Sequence, residues 1–165
     1  LRRDPRIGVA LGILFIIAEV VYALMSIDSR KSELKRSIQN LTLRDETPFL
    51  TVDEIIGEIL NNLFFYRKMN TYTWENDEDD DRIKLFVQYE SLEEIEYITE
   101  YLTYNATMLF ALVDNLNTVS FLIASGETIL ITLQDIQSQY EKALACYVEN
   151  SKEWERVVMS KIKLP

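Results

Sequence analysis

From Ile7 to Met25 the chain reads IGVALGILFIIAEVVYALM, nineteen residues among which only Glu19 and the phenol of Tyr22 can ionise. At about 1.5 Å of rise per residue, a helix of that length spans roughly 28 Å, close to the hydrocarbon thickness of a bilayer. A secretory signal peptide would have a shorter apolar region and a small-residue cleavage site. Val21-Tyr22-Ala23 is a passable site, but the run is too long for that reading. A buried core helix would show a polar face, and here only Glu19 interrupts. The run therefore reads as a single-pass transmembrane helix. It divides the chain into an anchor at 1–26, a juxtamembrane helical stalk and linker at 27–50, and a soluble domain at 51–165.

Glu19 is costly near the middle of a bilayer. It lies in the second half of the run, where it can reach the headgroups or, with Tyr22, meet another transmembrane helix. Arg2, Arg3 and Arg6 abut the run on one side, while Arg30, Lys31, Lys35 and Arg36 follow it mixed with Asp28 and Glu33. The directly abutting arginines favour an N-terminus inside, which puts the domain outside the cytoplasm. Cys146 is the only cysteine, so no disulfide forms within the chain; this agrees with either side. The first residue, Leu1, is not Met, so further spans upstream are also expected to be possible.

Charge and residue types narrow the function classes. The formal charge is −10, with 27 acidic against 17 basic residues, and such a surface repels phosphate backbones, so nucleic-acid binding is not expected. The chain has no histidine. That removes Ser-His-Asp and Cys-His nucleophilic sites and HExxH zinc sites. The four glycines, Gly8, Gly12, Gly57 and Gly126, form no phosphate-cradling loop. No catalytic residues, metal ligands or cofactor are expected. An enzyme built from carboxylates alone is the weakest of the readings.

Beyond the anchor, Ile27, Leu34, Ile38 and Leu41 continue a helical spacing into the stalk. After Pro48, Thr51-Val52-Asp53-Glu54 forms a capping box ahead of a helix with Ile55, Ile56, Ile59, Leu60 and Leu63 on one side. Tyr72 and Trp74 suit a strand, and RIKLFVQYE at 82–90 alternates Ile83, Leu85, Val87 and Tyr89 onto one face. Glu75 to Asp81 between them is acidic, but it lacks the central glycine and closing glutamate of an EF-hand loop and reads as a solvated hairpin loop. Ser91-Leu92-Glu93-Glu94 is a second capping pattern. It opens a long helix carrying Ile95, Ile98, Leu102, Leu109, Leu112 and Val113, which Asn115-Leu116-Asn117 ends. Tyr97, Tyr101 and Tyr104 line that helix as a possible binding face for a peptide or glycan, although tyrosines at this spacing more often pack onto a sheet edge. Thr118 to Ala124 and Thr128 to Leu133 form a hairpin around Ser125-Gly126-Glu127, Asp135 caps a helix to about Val148, and Ser151 starts a last helix with Trp154.

The pattern helix, hairpin, helix, hairpin, helix, helix suggests two copies of one helix–strand–strand unit. Ile59-Leu60-Asn61-Asn62-Leu63 and Leu112-Val113-Asp114-Asn115-Leu116 mark the same place in each. Two such hairpins joining into a four-stranded antiparallel sheet with helices on one face would bury both, so the expected fold class is α+β.

Several blocks carry a resemblance: Ile56 to Phe65, the strand ending at Tyr89, Asn105 to Leu116 followed by Val119-Ser120-Phe121, and the Trp154 helix. They resemble a bacterial extracytoplasmic domain of unknown function often found C-terminal to BlaR/MecR-type membrane metallopeptidases. The resemblance spans about Asn40 to Ile162. It implies sensing or partner binding beside a membrane signalling element, with an unknown ligand. Neither the zinc-peptidase signature nor a Ser-x-x-Lys nucleophile has a counterpart here. Two readings follow: a non-catalytic, membrane-anchored extracytoplasmic domain that binds other membrane proteins in signalling, or an accessory subunit held in a membrane complex through Glu19. An HExxH helix upstream would make the chain the tail of a signalling peptidase, and a nearby initiator Met would make it free-standing. On either reading the native protein is expected to sediment with membranes on cell fractionation; recovery in the cytosol would end both.

Overall fold

The computed structural model describes residues 32–33, 35, 52–76, 82–90, 92 and 96–162. The run from Ile7 to Met25, with Glu19 and Tyr22, lies outside them. Among the described residues no helix is long and apolar enough to cross a membrane. Ser32, Glu33 and Lys35 are helical.

The fold is α+β: a four-stranded mixed sheet and, among the described residues, five α-helices. Helix α1 (Val52–Asn61) buries Ile56, Ile59 and Leu60. A short 3₁₀ turn (Tyr66–Lys68) leads into β1 (Met69–Asn76), which pairs antiparallel with β2 (Ile83–Tyr89). Helix α2 (Ile98–Leu112) follows, then the antiparallel hairpin of β3 (Leu116–Leu122) and β4 (Thr128–Thr132). Short helices α3 (Leu133–Gln137), α4 (Ala145–Val148) and α5 (Ser151–Glu153) close the domain, and α5 widens into a π turn over Trp154–Met159.

The expected all-antiparallel sheet is corrected at its centre: β2 and β3 are parallel, Leu85 beside Val119 and Val87 beside Phe121. The reason is α2. Its fifteen residues span about 22 Å, nearly the length of a seven-residue strand, so the chain returns to the end of the sheet where β2 began. A crossover of this kind produces parallel neighbours. The correction also limits the two-unit reading. Laying β1–β2 onto β3–β4 reverses strand direction while keeping the order across the sheet, and a rotation that does so turns the sheet over. The units share an element order, but they cannot be superposed with both core faces on the same side.

Alternation along the strands gives the sheet one buried side. Ile83, Leu85, Val87 and Tyr89 of β2 and Leu116, Val119 and Phe121 of β3 are buried. Tyr72 and Trp74 of β1 and Ile129 of β4 pack against them, with Ile131 buried beside Val119.

Helix ends differ from expectation in three places. The long helix is first described at Ile98, after Tyr97 with φ 61°, a left-handed residue that a continuous right-handed helix cannot contain. It therefore does not run from the Ser91-Leu92-Glu93-Glu94 pattern, of which Ser91, Glu93 and Glu94 lie outside the described residues. It ends at Leu112, and only Asn115 of the expected stop belongs to the turn, with φ 65°; Leu116 and Asn117 already belong to β3.

The helix expected from Asp135 to Val148 is broken after Gln137. Its cap is Thr132, whose hydroxyl accepts from the Asp135 amide at 3.2 Å and donates to the Asp135 carboxylate at 2.7 Å. The Gln137 carboxamide donates to the Lys142 carbonyl at 2.7 Å and accepts from the Leu144 amide at 3.1 Å, which turns the chain and drives Tyr140 into the core. The last helix begins at Ser151 as expected, capped by Asn150. The hairpin at Gly126 also follows the sequence: φ is 90°, and the Gly126 and Ile123 amides donate to the Ile123 and Glu127 carbonyls.

Asn105, in the middle of α2 and fully buried, holds the chain where α1 gives way to β1. Its carboxamide oxygen accepts from the Phe64 amide at 3.1 Å and its nitrogen donates to the Phe64 carbonyl at 3.0 Å. Replacing Asn105 with Ala strands both backbone groups and leaves a void; a loss of about 2–5 kcal/mol is expected in chemical denaturation.

Candidate functional site

The side of the sheet opposite the core carries no described helix. Twelve residues alternate onto it: Thr71, Thr73 and Glu75 from β1; Lys84, Phe86 and Gln88 from β2; Thr118, Ser120 and Leu122 from β3; Thr128, Leu130 and Thr132 from β4. The strand register arranges them in three rows. Thr73, Phe86, Ser120 and Leu130 form the middle row; Thr71, Gln88, Leu122 and Thr128 lie on one side of it, and Glu75, Lys84, Thr118 and Thr132 on the other.

Phe86, Leu122 and Leu130 are large apolar side chains exposed at 36, 40 and 61%. They surround Ser120, which is small enough to be buried between its neighbours. Glu75 and Lys84 sit opposite each other in the outer row, so this face has no net formal charge on a chain whose charge is −10. The face is thus an uncharged apolar centre with a rim of threonines and one charge pair. Contiguous exposed apolar surface of this type marks interaction sites more often than isolated exposed leucines do.

This face was not singled out from the sequence, though a signal was present. Phe86 falls between Lys84 and Gln88, on the polar phase of β2. Phe121-Leu122-Ile123 and Ile129-Leu130-Ile131 are apolar on both phases. A strand apolar on both phases has two faces to cover.

The tyrosines singled out on α2 are not brought together on one surface. Tyr101 and Tyr104 are buried, ringed by Phe64 at centroid distances of 4.8 and 5.4 Å, and Tyr104 meets Trp154 edge-on at 6.4 Å. Tyr101 packs against Phe64 and Phe65, just beyond the end of α1, and Tyr104 against Phe64 and the C-terminal helix. Tyr97 is exposed at the helix start, where a hydrogen bond to Glu96 and that carboxylate's charge raise its pKa. Glu75 and Asn76 end β1, and Asp77 to Asp81 lie outside the described residues.

A cleft of about 590 Å³ opens where β2 and β3 begin. Arg82, Asn115, Asn117, Gln134 and Gln137 line it over Leu116 and Leu133. One guanidinium and four carboxamides can hydrogen-bond, but they supply neither a nucleophile nor a proton-transferring group near neutral pH. No group of histidine, cysteine or acidic side chains able to hold a metal occurs among the described residues.

These features define a small α+β domain whose sheet, among the described residues, is covered on one side only, with three exposed large apolar residues, Phe86, Leu122 and Leu130, gathered on the other. The chain belongs to the family described as domain of unknown function DUF4825, which matches residues 47–139, more than half of its length. The match takes in the whole sheet and helices α1 to α3 and stops before the Trp154 helix. No curated protein and no solved structure matches the chain.

Two buried phenols give the domain an alkaline limit. Burial, reinforced by Tyr147, pushes Tyr140 up to about 12. Burial raises Tyr89 as well, against the opposing effect of its hydrogen bond with Asn105. Above about pH 10 an unfolded tyrosine loses its proton while these two keep theirs, so the folded state binds more protons and stability falls as pH rises. The melting temperature is expected to be level up to about pH 9 and to drop beyond pH 10, less steeply in Tyr140→Phe.

Proposed function

We propose that this is a non-catalytic, membrane-anchored binding domain outside the cytoplasm that engages a partner protein of the membrane through its uncovered sheet face and takes part in signalling. The observation that carries the reading is the cluster of Phe86, Leu122 and Leu130 on a face without net charge. Such a surface is suited to an apolar protein surface and unsuited to a phosphate backbone or a strongly charged ligand. The apolar run at Ile7 to Met25 supports the membrane location. Resemblance to the domain that follows BlaR/MecR-type peptidases supports a role as the tail of a signalling membrane peptidase. The absence of histidine argues against chemistry by the chain itself.

A second reading, an accessory subunit held through its anchor, draws on Glu19 within the apolar run. Photocrosslinking of the full chain in native membranes separates the two. On the first reading Phe86→Asp abolishes the crosslinked partner in a domain that stays folded, with a loss of about 1–2 kcal/mol because the ring is two-thirds covered and Asp is a poor strand former, and Glu19→Leu has no effect. On the second, Glu19→Leu abolishes it and Phe86→Asp does not. A partner retained by both variants sinks both.

A further inference from the structure

We infer that β4 is the seam of a homodimer, in which two copies of this chain join edge to edge and antiparallel with Leu130 of one copy opposite Leu130 of the other. Among the described residues the strand ends the sheet, pairing with β3 alone. The hairpin closes on a bond from the Ile123 amide to the Glu127 carbonyl. Alternation then makes Phe121–Ile129 and Val119–Ile131 the bonded pairs of the ladder, and it directs the N–H and C=O of Thr128 and Leu130 away from β3.

The two edges of the sheet differ in how they are guarded. The β1 edge has a register irregularity between Met69 and Thr71, carries Glu75, and runs on into the acidic stretch to Asp81. Bulges and charges of that kind discourage edge pairing. The β4 edge has neither. Thr128-Ile129-Leu130-Ile131-Thr132 has no charge and no proline, and its register is regular. Helix α3 does not shield it: after Thr132 the chain turns back toward β2 and β3, where Gln134 and Gln137 share a cleft with Arg82 and Asn115.

The partner is specified by the strand's own sequence, which reads the same in both directions. Antiparallel pairing centred on Leu130 sets leucine on leucine, isoleucine on isoleucine and threonine on threonine. Like pairs of β-branched residues and of threonines are favourable cross-strand neighbours. Leu130 is also the residue whose backbone faces outward, so the central pair exchanges two hydrogen bonds across the twofold, as an isologous interface requires. Residues directly opposite one another share a face, so Ile129 and Ile131 stay on the core side and both copies of Leu130 fall on the open side. The seam so formed runs from Thr128 to Thr132 and contains no charged residue. The product is an eight-stranded sheet whose two open faces are continuous.

The test uses the full chain in detergent with Cys146→Ser as background. In the bonded pair the two Leu130 Cα atoms lie about 5.5 Å apart, within reach of a short bismaleimide. Leu130→Cys is expected to crosslink several-fold more than Thr73→Cys, which lies on the same face at the opposite edge; equal yields overturn the proposal whatever the anchor does. Leu130→Lys and Leu130→Pro, the latter removing an N–H that takes no part in the hairpin, are both expected to lower the dimer fraction in sedimentation. If folded forms of both keep the wild-type distribution, the proposal is overturned. The seam does not rest on the partner-binding reading: Phe86→Asp, which tests that reading, is expected to leave Leu130→Cys crosslinking unchanged, and loss of the crosslink in that variant would count against an edge-only seam.

Discussion

A single buried carboxamide sets the relation between the two halves of the domain. Asn105 belongs to the crossover helix, and the backbone it binds, at Phe64, belongs to the turn that redirects the chain from α1 into β1. That turn is difficult to form unaided: Phe65 has φ 64°, a left-handed conformation that disfavours a bulky side chain, and the neighbouring amide and carbonyl are removed from water. By satisfying both groups, Asn105 fixes where β1 begins and therefore how β1 lies against β2. Phe64, Tyr101 and Tyr104 then close around the same point as a cluster of tilted and edge-on rings. A polar group in the core of this kind is tolerated because its oxygen and its nitrogen both find partners.

From that point the sheet is assembled by periodicity. The core phase of β2 was legible as the alternation Ile83, Leu85, Val87, Tyr89, and α1 as the stripe Ile56, Ile59, Leu60. Gly126 and the Ser151 helix were legible from local chemistry, since a glycine at positive φ and an asparagine side chain at a helix start act within a few residues. What could not be read was whatever depended on partners distant in sequence. Nothing local to β2 or β3 states that they run parallel; that follows from the length of α2. Nothing local to Gln137 states that its carboxamide is engaged by Lys142 and Leu144, so a stretch that reads as one continuous helix folds back at Tyr140.

The open face was half legible. Phe86 among polar neighbours and the unbroken apolar triplets in β3 and β4 marked two-sided strands, but only the register shows that the outward members gather in adjacent rows. The tyrosines gave the opposite lesson. Their spacing along α2 looked like a surface, yet the left-handed turn at Tyr97 separates it from Tyr101 and Tyr104, which the core takes in. An aromatic side chain's environment is decided by which way the helix faces, and helical spacing alone does not give that direction.

Trp154 lies in a segment beyond residues 47–139, yet it is fully buried against Tyr104, with its indole N–H making no hydrogen bond among the described residues. The core is therefore completed by a helix that the ribosome delivers after every strand has been made. Until it arrives, Tyr104 of the crossover helix is without the indole that packs edge-on against it in the finished fold. During synthesis the chain passes through a stage in which the strands can pair but the interior is unsealed, and at that stage it is most open to chaperones and proteases.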